Sequence, residues 1–337
     1  MLQQKTSSIL TGLSLLLFCV LFFHACVQKE QISTVVADQN IFEQHQSQQL
    51  QKFQAPDLGN GTYQVTGKHG TLIEISDALV NSTGQRVRGA VDIELIEIYT
   101  VADMILHRKQ TLADYDGQNE ILESGGEVFV KVYQNGEELS ADGAGEMSIL
   151  LPTANTGGAN ENMELFYGEE TGEQIIWKPT GEKIPVINRS SILRADREYY
   201  LVMIENILGW INVDIVYAAQ GEDIDCIRLN IDCELPCEIH PENTVAAIHI
   251  GSLNSAFELT HSHGTTFELC SIEGEGFMPL GGLSATFVVI IDCGDGRVYY
   301  ATVTTTLTPG NHTQEINCEV MQVGSPDEVE TALQNLL

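Results

Sequence analysis

Most of the chain after Gly61 consists of short runs in which apolar and polar residues alternate, separated by Gly, Asn and Asp. In the run Val87–Ile98, for instance, Val91, Ile93 and Leu95 fall on one face. A period of two residues is typical of a β-strand that buries one face. We therefore predict strands in the following segments: Thr71–Ser76, Val87–Ile98, Glu127–Gln134, Met147–Leu151, Met163–Tyr167, Gln174–Lys178, Glu198–Ile204, Trp210–Tyr217, Cys226–Ile231, Thr244–Ile250, Ala256–Thr260, Thr265–Ser271, Ala285–Asp292 and Arg297–Thr306.

Turn-forming residues join several of these segments. Asn135-Gly136 follows a predicted strand and has the residue types that accept the positive φ angles of a two-residue hairpin. Gly294-Asp295-Gly296 separates the last two predicted strands and is the strongest hairpin signal in the chain. Many short strands with almost no helical period predict an all-β fold with two antiparallel β-sandwich domains.

A short helix is predicted at the carboxyl end of the chain. The segment Ser325–Glu328 offers a serine N-cap, a proline in the first turn and a glutamate at the reciprocal position of a capping box. Val329, Leu333 and Leu336 then form a narrow apolar stripe that we expect to dock on the second sandwich. Another short helix is possible within Tyr99–Tyr115, where the pattern is ambiguous.

The amino terminus contains a continuous apolar run, Ile9–Phe23, of fifteen residues without a charge. A helix that spans a bilayer needs about 20 apolar residues, whereas the core of a signal peptide needs about 7–15. We therefore predict a signal peptide over residues 1–25. Two alternatives are a signal peptide cleaved elsewhere, with Cys26 an ordinary thiol, and a retained anchor helix.

The segment Phe23-His24-Ala25-Cys26 resembles the lipobox of bacterial lipoproteins, although Phe23 and His24 stand where that family usually has leucine and a small residue. The resemblance implies cleavage before Cys26 and attachment of acyl chains to it. Each buried CH₂ group contributes about 0.8 kcal/mol, so such chains can hold a soluble domain on a membrane. We therefore expect the lipid bilayer as a partner through acylated Cys26, at the outer membrane, with the protein facing the periplasm or the surface.

The segment Gln39–Gln54 contains seven glutamines in sixteen residues. Its low apolar content predicts a solvated tether, which we place at residues 26–58. The alternative is a short amphipathic helix that uses Ile41, Phe42, Leu50 and Phe53.

The distribution of cysteine divides the rest of the chain into an amino-terminal sandwich, residues 59–220, and a carboxy-terminal sandwich with the terminal helix, residues 221–337. No cysteine lies between Val27 and Asp225. In an exported protein, cysteines concentrated in one domain indicate disulfides, although spacing does not select their pairing. A zinc site at Cys233 and Cys237 is the competing interpretation. The disulfide candidates are Cys226, Cys233, Cys237, Cys270, Cys293 and Cys318.

Several short stretches of the amino-terminal part carry a further resemblance. They are Gly70–Ile75, Val91–Glu97, Asp103–Leu106, Glu123–Gly126, Met147–Pro152, Trp177–Pro179 and Gly209–Asp214. Together they resemble a group of exported lipoproteins of Bacteroidota, to which no reaction is assigned and whose first module is similar to ZU5-type β-sandwiches. The resemblance implies a sandwich fold for about Gly61–Tyr217 and a bacterial origin, and it transfers no catalytic residue.

The charge balance restricts the partners. The chain has 16 Lys and Arg against 47 Asp and Glu, a net charge of −31. Such a surface repels phosphate backbones and anionic headgroups, which argues against nucleic acid and against polybasic membrane docking. Exposed indole rings favour sugars and proteins as partners. Trp210 heads an alternating strand and is predicted to be core, whereas Trp177 is the better candidate for exposure.

Close pairs of carboxylates are abundant, and three of them resemble the acid/base couple of a glycoside hydrolase. The pairs are Glu94 and Glu97, Asp223 and Asp225, and Asp292 and Asp295. In a chain with 47 acidic residues such pairs arise by chance, so we interpret them as solvated charge and predict no catalytic residue.

The sequence signals for a metal site and for a phosphate-binding loop are equally weak. Gly221–Asp225 and Asp292–Asp295 bring oxygen ligands together near turns, so a structural calcium ion is a minor possibility, and no other cofactor is expected. His261-Ser262-His263 lacks a nameable third ligand and is interpreted as exposed. Glu123-Ser124-Gly125-Gly126 lacks the lysine of a phosphate loop, and we place its glycines at a bend between strands.

These features predict a membrane-anchored bacterial lipoprotein with a non-enzymatic binding or structural role at the cell envelope or surface. Besides the bilayer, the expected partner is an envelope protein or a glycan, and nucleic acid is not expected. Two alternatives remain: a surface hydrolase that uses a carboxylate pair, and an accessory lipoprotein of an outer-membrane transport complex.

Overall fold

The computed structural model describes residues 40–115, 118–171, 174–191, 194–205, 208–217, 221–251, 253–271 and 278–335. The predicted signal peptide and the predicted lipid attachment site, Cys26, lie outside these residues. In the described ranges no helix has both the length and the apolar character needed to cross a membrane.

Within the described residues, strands dominate and helices are short. The helices are α1 (Ile41–Gln49), α2 (Val101–His107) and α3 (Pro326–Gln334), and a 3₁₀ turn covers Thr153–Thr156. The strands of the amino-terminal part are β1 (Gln51–Ala55), β2 (Thr62–Thr66), β3 (Leu72–Ser76), β4 (Leu79–Val80), β5 (Val91–Ile98), β6 (Leu112–Tyr115), β7 (Gln118–Gln134), β8 (Glu137–Glu138), β9 (Ser140–Ala141), β10 (Glu146–Pro152), β11 (Glu164–Thr171), β12 (Gln174–Lys183), β13 (Val186–Ser191), β14 (Arg194–Met203) and β15 (Gly209–Val216). Those of the carboxy-terminal part are β16 (Glu222–Asp232), β17 (Thr244–Ile250), β18 (Ala256–Glu258), β19 (Thr260–His263), β20 (Thr266–Cys270), β21 (Met278–Gly281), β22 (Ser284–Asp292), β23 (Val298–Thr306), β24 (Gly310–Asn317) and β25 (Gln322–Gly324).

In the part of the chain that is described, the strands form four larger sheets. Sheet I has the order β1-β5-β7-β15-β11-β12-β6, with β8 paired to β7, and sheet II has the order β13-β14-β10-β3-β2. Sheet III has the order β18-β17-β22-β23-β25, and sheet IV has the order β19-β20-β16-β21, with β24 paired to β16. Apart from β4 and β9, which pair with each other, the strands up to β15 supply sheets I and II, and those from β16 onward supply sheets III and IV.

Each pair of sheets encloses an apolar core, as the alternating pattern predicts for a sandwich. Between sheets I and II the core includes Ile73, Ile93 and Val130, which are 0% exposed. Between sheets III and IV it includes Leu229 and Phe287, also 0% exposed. The all-β sandwich fold expected from the sequence is therefore confirmed.

A third apolar cluster, which we call the interlayer, joins the two sandwiches. It is formed by the outer faces of sheets I and III and by helices α1, α2 and α3. Strand β22 shows the consequence in its sequence: Phe287 packs into the core between sheets III and IV, whereas its neighbour Val288 packs into the interlayer. A strand buried on both faces needs a continuous apolar run rather than alternation.

The predicted turns and the terminal helix are confirmed. Asn135 and Gly136 have φ angles of 53° and 84° and connect β7 to β8. The Ser325 side chain accepts from the Glu328 N–H, and the Glu328 carboxylate accepts from the Ser325 N–H, which completes the capping box of α3. The buried stripe residues Val329 and Leu333 lie in the interlayer, and Leu336 is outside the described residues.

The prediction of a solvated tether is wrong for the part of it that is described. Residues 41–49 form α1, capped by Asn40, and Gln51–Ala55 pairs with β5 as an edge strand. Ile41 and Phe42 are each 3% exposed in the interlayer. Two apolar residues stand among the glutamines of this segment, and their burial against both sandwiches stabilises the helix. The alternative, a short helix, is correct for Ile41 and Phe42, but Leu50 caps the helix and Phe53 lies in β1.

The expectation of purely antiparallel sheets also needs correction. Strand β24 runs parallel to β16 over a register from Ile224 opposite Gly310 to Asp232 opposite Asn317. Strands β6 and β12 are parallel as well, through a single pair. Parallel neighbours require a long connection rather than a tight turn. The pattern of apolar and polar residues along the chain therefore does not predict the pairing of β16 with β24.

The predicted disulfide framework is confirmed for all six described cysteines. The pairs are Cys226–Cys270, Cys233–Cys318 and Cys237–Cys293, which span 44, 85 and 56 positions. The zinc interpretation is wrong, because the two sulfurs it requires are each bonded to another cysteine. Glu268 lies near the sulfurs of one pair, but disulfide sulfur offers no thiolate for a metal.

Candidate functional site

The first predicted carboxylate pair separates into two structural roles. Glu94 forms an ion pair with Lys52 at 2.7 Å on the neighbouring strand. Glu97 is 2% exposed, and its carboxylate accepts from the main-chain N–H of His69 at 2.9 Å and of Thr71 at 3.0 Å. Glu97 therefore holds the β2–β3 turn and is not the solvated charge that the sequence suggested.

The other two pairs differ from each other. Asp223 and Asp225 are exposed on β16, as expected of solvated charge. Asp292 is buried: its Oδ2 accepts from the Ile41 N–H at 2.6 Å and its Oδ1 from the Gly294 N–H at 2.8 Å. The interpretation as solvated charge is wrong for Asp292, whose two carboxylate oxygens hold a helix and a turn.

The tryptophans and histidines named from the sequence have contrasting positions. Trp177 is 0% exposed and its Nε1–H donates to the Gln110 carbonyl at 2.7 Å, so the expectation that it is exposed is wrong. Trp210, at 7%, is buried as expected. His263 is exposed on β19, while His261 is partly covered and its ring lies beside that of Phe267.

A group of buried polar residues that the sequence analysis missed lies on the outer face of sheet I. We call Ser124, Glu127, Asn212 and Asp214 the acid cluster. In the ladder between β7 and β15, Glu127 lies opposite Asn212 and Ser124 lies opposite Asp214. Because Val213 points into the core between sheets I and II, its neighbours on β15 point into the interlayer.

A bulge shapes the strand at this point. The register between β7 and β15 shifts between the two ends of the acid cluster, at Gly125-Gly126. Gly126 has φ = 125°, and a Cβ atom there would lie 2.5 Å from the Tyr99 ring. The glycines thus lie inside one long strand rather than at a bend between two strands. Asn254 of the second sandwich covers the bulge: its side chain donates to the Ser124 carbonyl at 3.0 Å.

The acid cluster is buried, and several of its oxygen atoms accept no hydrogen bond. Glu127, Asn212 and Asp214 are 0% exposed. Asn212 Nδ2 donates to Asp214 Oδ2 at 2.6 Å, but both Glu127 oxygens, Asn212 Oδ1 and Asp214 Oδ1 accept no hydrogen bond in the described part of the chain. Burial raises the pKa of Asp214 to about 8 and, together with the charge of Asp214, raises the pKa of Glu127 well above its usual range.

A second group, the histidine cluster, joins the interlayer helices. His45 of α1 lies with Nε2 3.5 Å from Asp103 Oδ1 of α2 and with Nδ1 3.6 Å from Glu330 Oε2 of α3. The His107 ring lies 4.8 Å from that of His45. Burial, and the neighbouring His45, lower the pKa of His107 to about 3. The cluster therefore places charge at the contact of all these helices.

Lys109 lies between the two clusters. Its Nζ is 3.8 Å from Glu170 Oε1 and 4.8 Å from the centroid of the Trp210 ring. Burial lowers the pKa of Lys109, while the negative charges of Glu170 and Glu127 act in the opposite direction. The interlayer thus holds several titratable groups in a medium where their charges interact strongly.

A carboxyl group with a pKa near neutrality suits proton transfer, but Glu127 and Asp214 have no exposed surface through which a substrate could reach them. A hollow of about 100 Å³ lies elsewhere, between Arg108, Glu258 and His261. Arg108 Nη2 pairs with Glu258 Oε1 at 2.6 Å in its wall.

Comparison with known proteins adds little. No protein-family model matches the chain, and none of the curated proteins matches it. Among solved structures, the chain is similar to the Bacillus anthracis TIE protein at 10% identity and a TM-score of 0.18, over 80% of this chain and 40% of that one. The chain thus spans well under half of that protein's length, and so low a TM-score carries no argument about function.

Proposed function

We propose that this chain is an exported lipoprotein, anchored in the outer membrane through acylated Cys26, with a non-enzymatic binding or structural role at the cell envelope. The observation that carries the proposal is the bridging of every described cysteine in a disulfide. Disulfides form and persist outside the reducing cytosol, which supports export. The apolar segment Ile9–Phe23 supplies the signal that export requires.

The position of α1 supports a short link to the membrane. Helix α1 begins at Ile41, fifteen positions after Cys26 in the sequence. A fully extended chain covers about 3.3–3.6 Å per residue, so the folded body would start within about 50 Å of the acylated residue. After α1 the chain continues as β1 at the edge of sheet I.

The burial of the reactive groups supports a binding or structural role. Asp214, which has the pKa expected of an acid catalyst, is sealed between the two sandwiches together with Glu127. A hydrolase would need such a group in an open cleft that water and substrate can enter. The acidic surface, with a net charge of −31 for the chain, instead suits a partner that presents cationic or hydroxyl groups.

The anchor is tested by metabolic labelling with a fatty acid in a bacterial host, followed by mass spectrometry of the amino-terminal peptide. We expect label on the wild type and none on Cys26→Ser, because the acyl chains attach to that thiol. Cys19→Ser is the matched control: Cys19 lies inside the predicted signal peptide, so its loss leaves the labelling unchanged. An unlabelled wild type, or label on Cys26→Ser, contradicts the proposal.

A further inference from the structure

The acid cluster brings three buried side chains with free oxygen atoms together on two paired strands. Glu127 on β7 lies opposite Asn212 on β15, and Asp214 follows on the same face of β15. Each has 0% of its surface exposed. Val128 and Val213, which alternate with them, point into the core between sheets I and II. The three polar side chains therefore face the interlayer, away from solvent.

Asp214 Oδ2 accepts from Asn212, but four other oxygen atoms of this cluster have no hydrogen-bond partner among the described residues. Both carboxylate oxygens of Glu127, Oδ1 of Asp214 and Oδ1 of Asn212 accept no hydrogen bond from any described residue. Buried polar atoms are almost always hydrogen-bonded, so a group of unpaired ones requires an explanation. Asn212 is an independent indication, because repulsion between carboxylates does not account for an unpaired amide oxygen.

When the two acids of the cluster are ionised, their negative charges repel each other, as the effect of Asp214 on the pKa of Glu127 shows. The positive charge of Lys109 lowers the pKa of Glu127, but Lys109 Nζ lies 3.8 Å from Glu170 Oε1 and over the Trp210 ring and makes no hydrogen bond to Glu127. The neighbouring charge of Asp214 raises the pKa of Glu127 beyond the effect of burial. A positive ion placed among these oxygens would neutralise the repulsion and satisfy the unpaired atoms.

We propose that the acid cluster binds a divalent hard cation, calcium being the best match, through Glu127, Asn212 and Asp214. The ligand atoms offered are all oxygens, which calcium and magnesium prefer over nitrogen and sulfur. Calcium tolerates irregular geometry and accepts both oxygens of one carboxylate, as the two free atoms of Glu127 allow. This site differs from the segments Gly221–Asp225 and Asp292–Asp295, whose carboxylates are exposed or hydrogen-bonded to main-chain N–H groups.

A cation here would strengthen the contact between the sandwiches. Asn254 of the second sandwich donates to the Ser124 carbonyl at 3.0 Å, and its own carbonyl accepts from the Ser124 N–H at 2.9 Å. These bonds close the bulge over the acid cluster. Binding of the ion to the folded chain alone would raise the stability of the joined sandwiches by mass action.

The first experiment measures thermal unfolding of the full-length chain, purified in detergent, stripped with a chelator and titrated with calcium. We expect the melting temperature to rise by about 5 °C when calcium reaches about 100 times its dissociation constant. The double variant Glu127→Gln, Asp214→Asn should lose this rise. Asp223→Asn, Asp225→Asn removes the same charge from an exposed site and should keep it.

The second experiment reports on the site itself and works on the wild type. Trp210 precedes Asn212 by two positions on the same strand, so its ring lies on the same face as the cluster. Terbium, which occupies calcium sites, should show emission sensitised by tryptophan, saturating at one ion per chain. Trp210→Phe should strongly reduce that emission while the calcium-dependent rise in melting temperature remains.

Three results would overturn the proposal. The first is a wild type whose melting temperature does not respond to calcium and that sensitises no terbium, which would mean that the buried acids are protonated. The second is an equal response in the Glu127→Gln, Asp214→Asn variant, which would place the ions on the acidic surface. The third result applies if that variant does not fold. Terbium emission that is equally strong in the wild type and in Trp210→Phe would place the ion away from the acid cluster and overturn the proposal.

Discussion

The main-chain N–H of Ile41 donates a hydrogen bond of 2.6 Å to Oδ2 of Asp292, a residue 251 positions away. It ties the first turn of α1 to the hairpin between β22 and β23. The other oxygen of Asp292 accepts from the Gly294 N–H at 2.8 Å. One buried carboxylate therefore holds both a turn of the carboxy-terminal sandwich and the segment that follows the predicted anchor.

Asp292→Ala should lower the free energy of unfolding by about 1–3 kcal/mol, because two main-chain donors lose a buried acceptor. The loss of protection against amide hydrogen exchange should be greatest in α1. Urea unfolding and hydrogen exchange measure the two effects. Asp295→Ala is the control, since Asp295 is exposed and pairs with Arg297. Equal effects of the two substitutions would contradict the role given to Asp292.

Gly126→Ala should destabilise the protein by more than about 2 kcal/mol. The residue has φ = 125°, and the added Cβ would lie 2.5 Å from the Tyr99 ring. Gly136→Ala provides the comparison, since Gly136 also has a positive φ, of 84°, but a Cβ there meets nothing within 4 Å. We expect a cost of about 1 kcal/mol for it. Thermal unfolding measures both losses. Equal losses of stability in the two variants would contradict a cost from crowding against the Tyr99 ring.

The low pKa of His107 predicts a loss of stability in acid. Burial, and the neighbouring His45, lower its pKa from 6.5 to about 3, while Asp103 opposes this and Lys109 adds to it. The unfolded chain therefore binds a proton at a higher pH than the folded one. The contribution of His107 is complete above about pH 6.5 and falls by up to about 1.4 kcal/mol per pH unit as the pH drops toward 3.

Substitution of His107 by glutamine removes this titration. Between pH 6.5 and 4, the stability of His107→Gln should fall less steeply than that of the wild type in urea unfolding. Buried His249 and His312, whose pKa values are also lowered by burial, titrate in the same direction in both proteins, so the difference isolates His107. Identical slopes for the two proteins would contradict the assignment.

The disulfide pairing predicts which cysteine peptides are linked. Digestion without reduction should yield Cys226 linked to Cys270, Cys233 to Cys318, and Cys237 to Cys293, with none of the six open to alkylation. Cys233→Ser, Cys318→Ser opens a link across 85 positions and should cost about 4.6 kcal/mol in the chain-entropy model. Free thiols at these positions, or other linked pairs, would refute the pairing.

Features that depend on a few neighbouring residues were predictable. The hairpin at Asn135-Gly136 follows from two residues that tolerate positive φ, and α3 follows from the capping residues Ser325 and Glu328. The sandwich fold follows from alternation along each strand, and the six disulfide cysteines follow from their concentration in one domain. In each case the physical cause lies within the segment or in the composition of the chain.

Features of the interlayer were not predictable, because they depend on which surfaces meet. Alternation shows that a strand has one apolar face but not that its polar face will also be covered. Glu127 and Asp214 therefore looked like ordinary polar positions of half-exposed strands until the second sandwich covered them. Ile41 and Phe42 are likewise only two apolar residues among glutamines, so they do not establish the period that predicts a buried helix. Their burial, like the pairing of β16 with β24, was decided by contacts between parts of the chain that are distant in sequence.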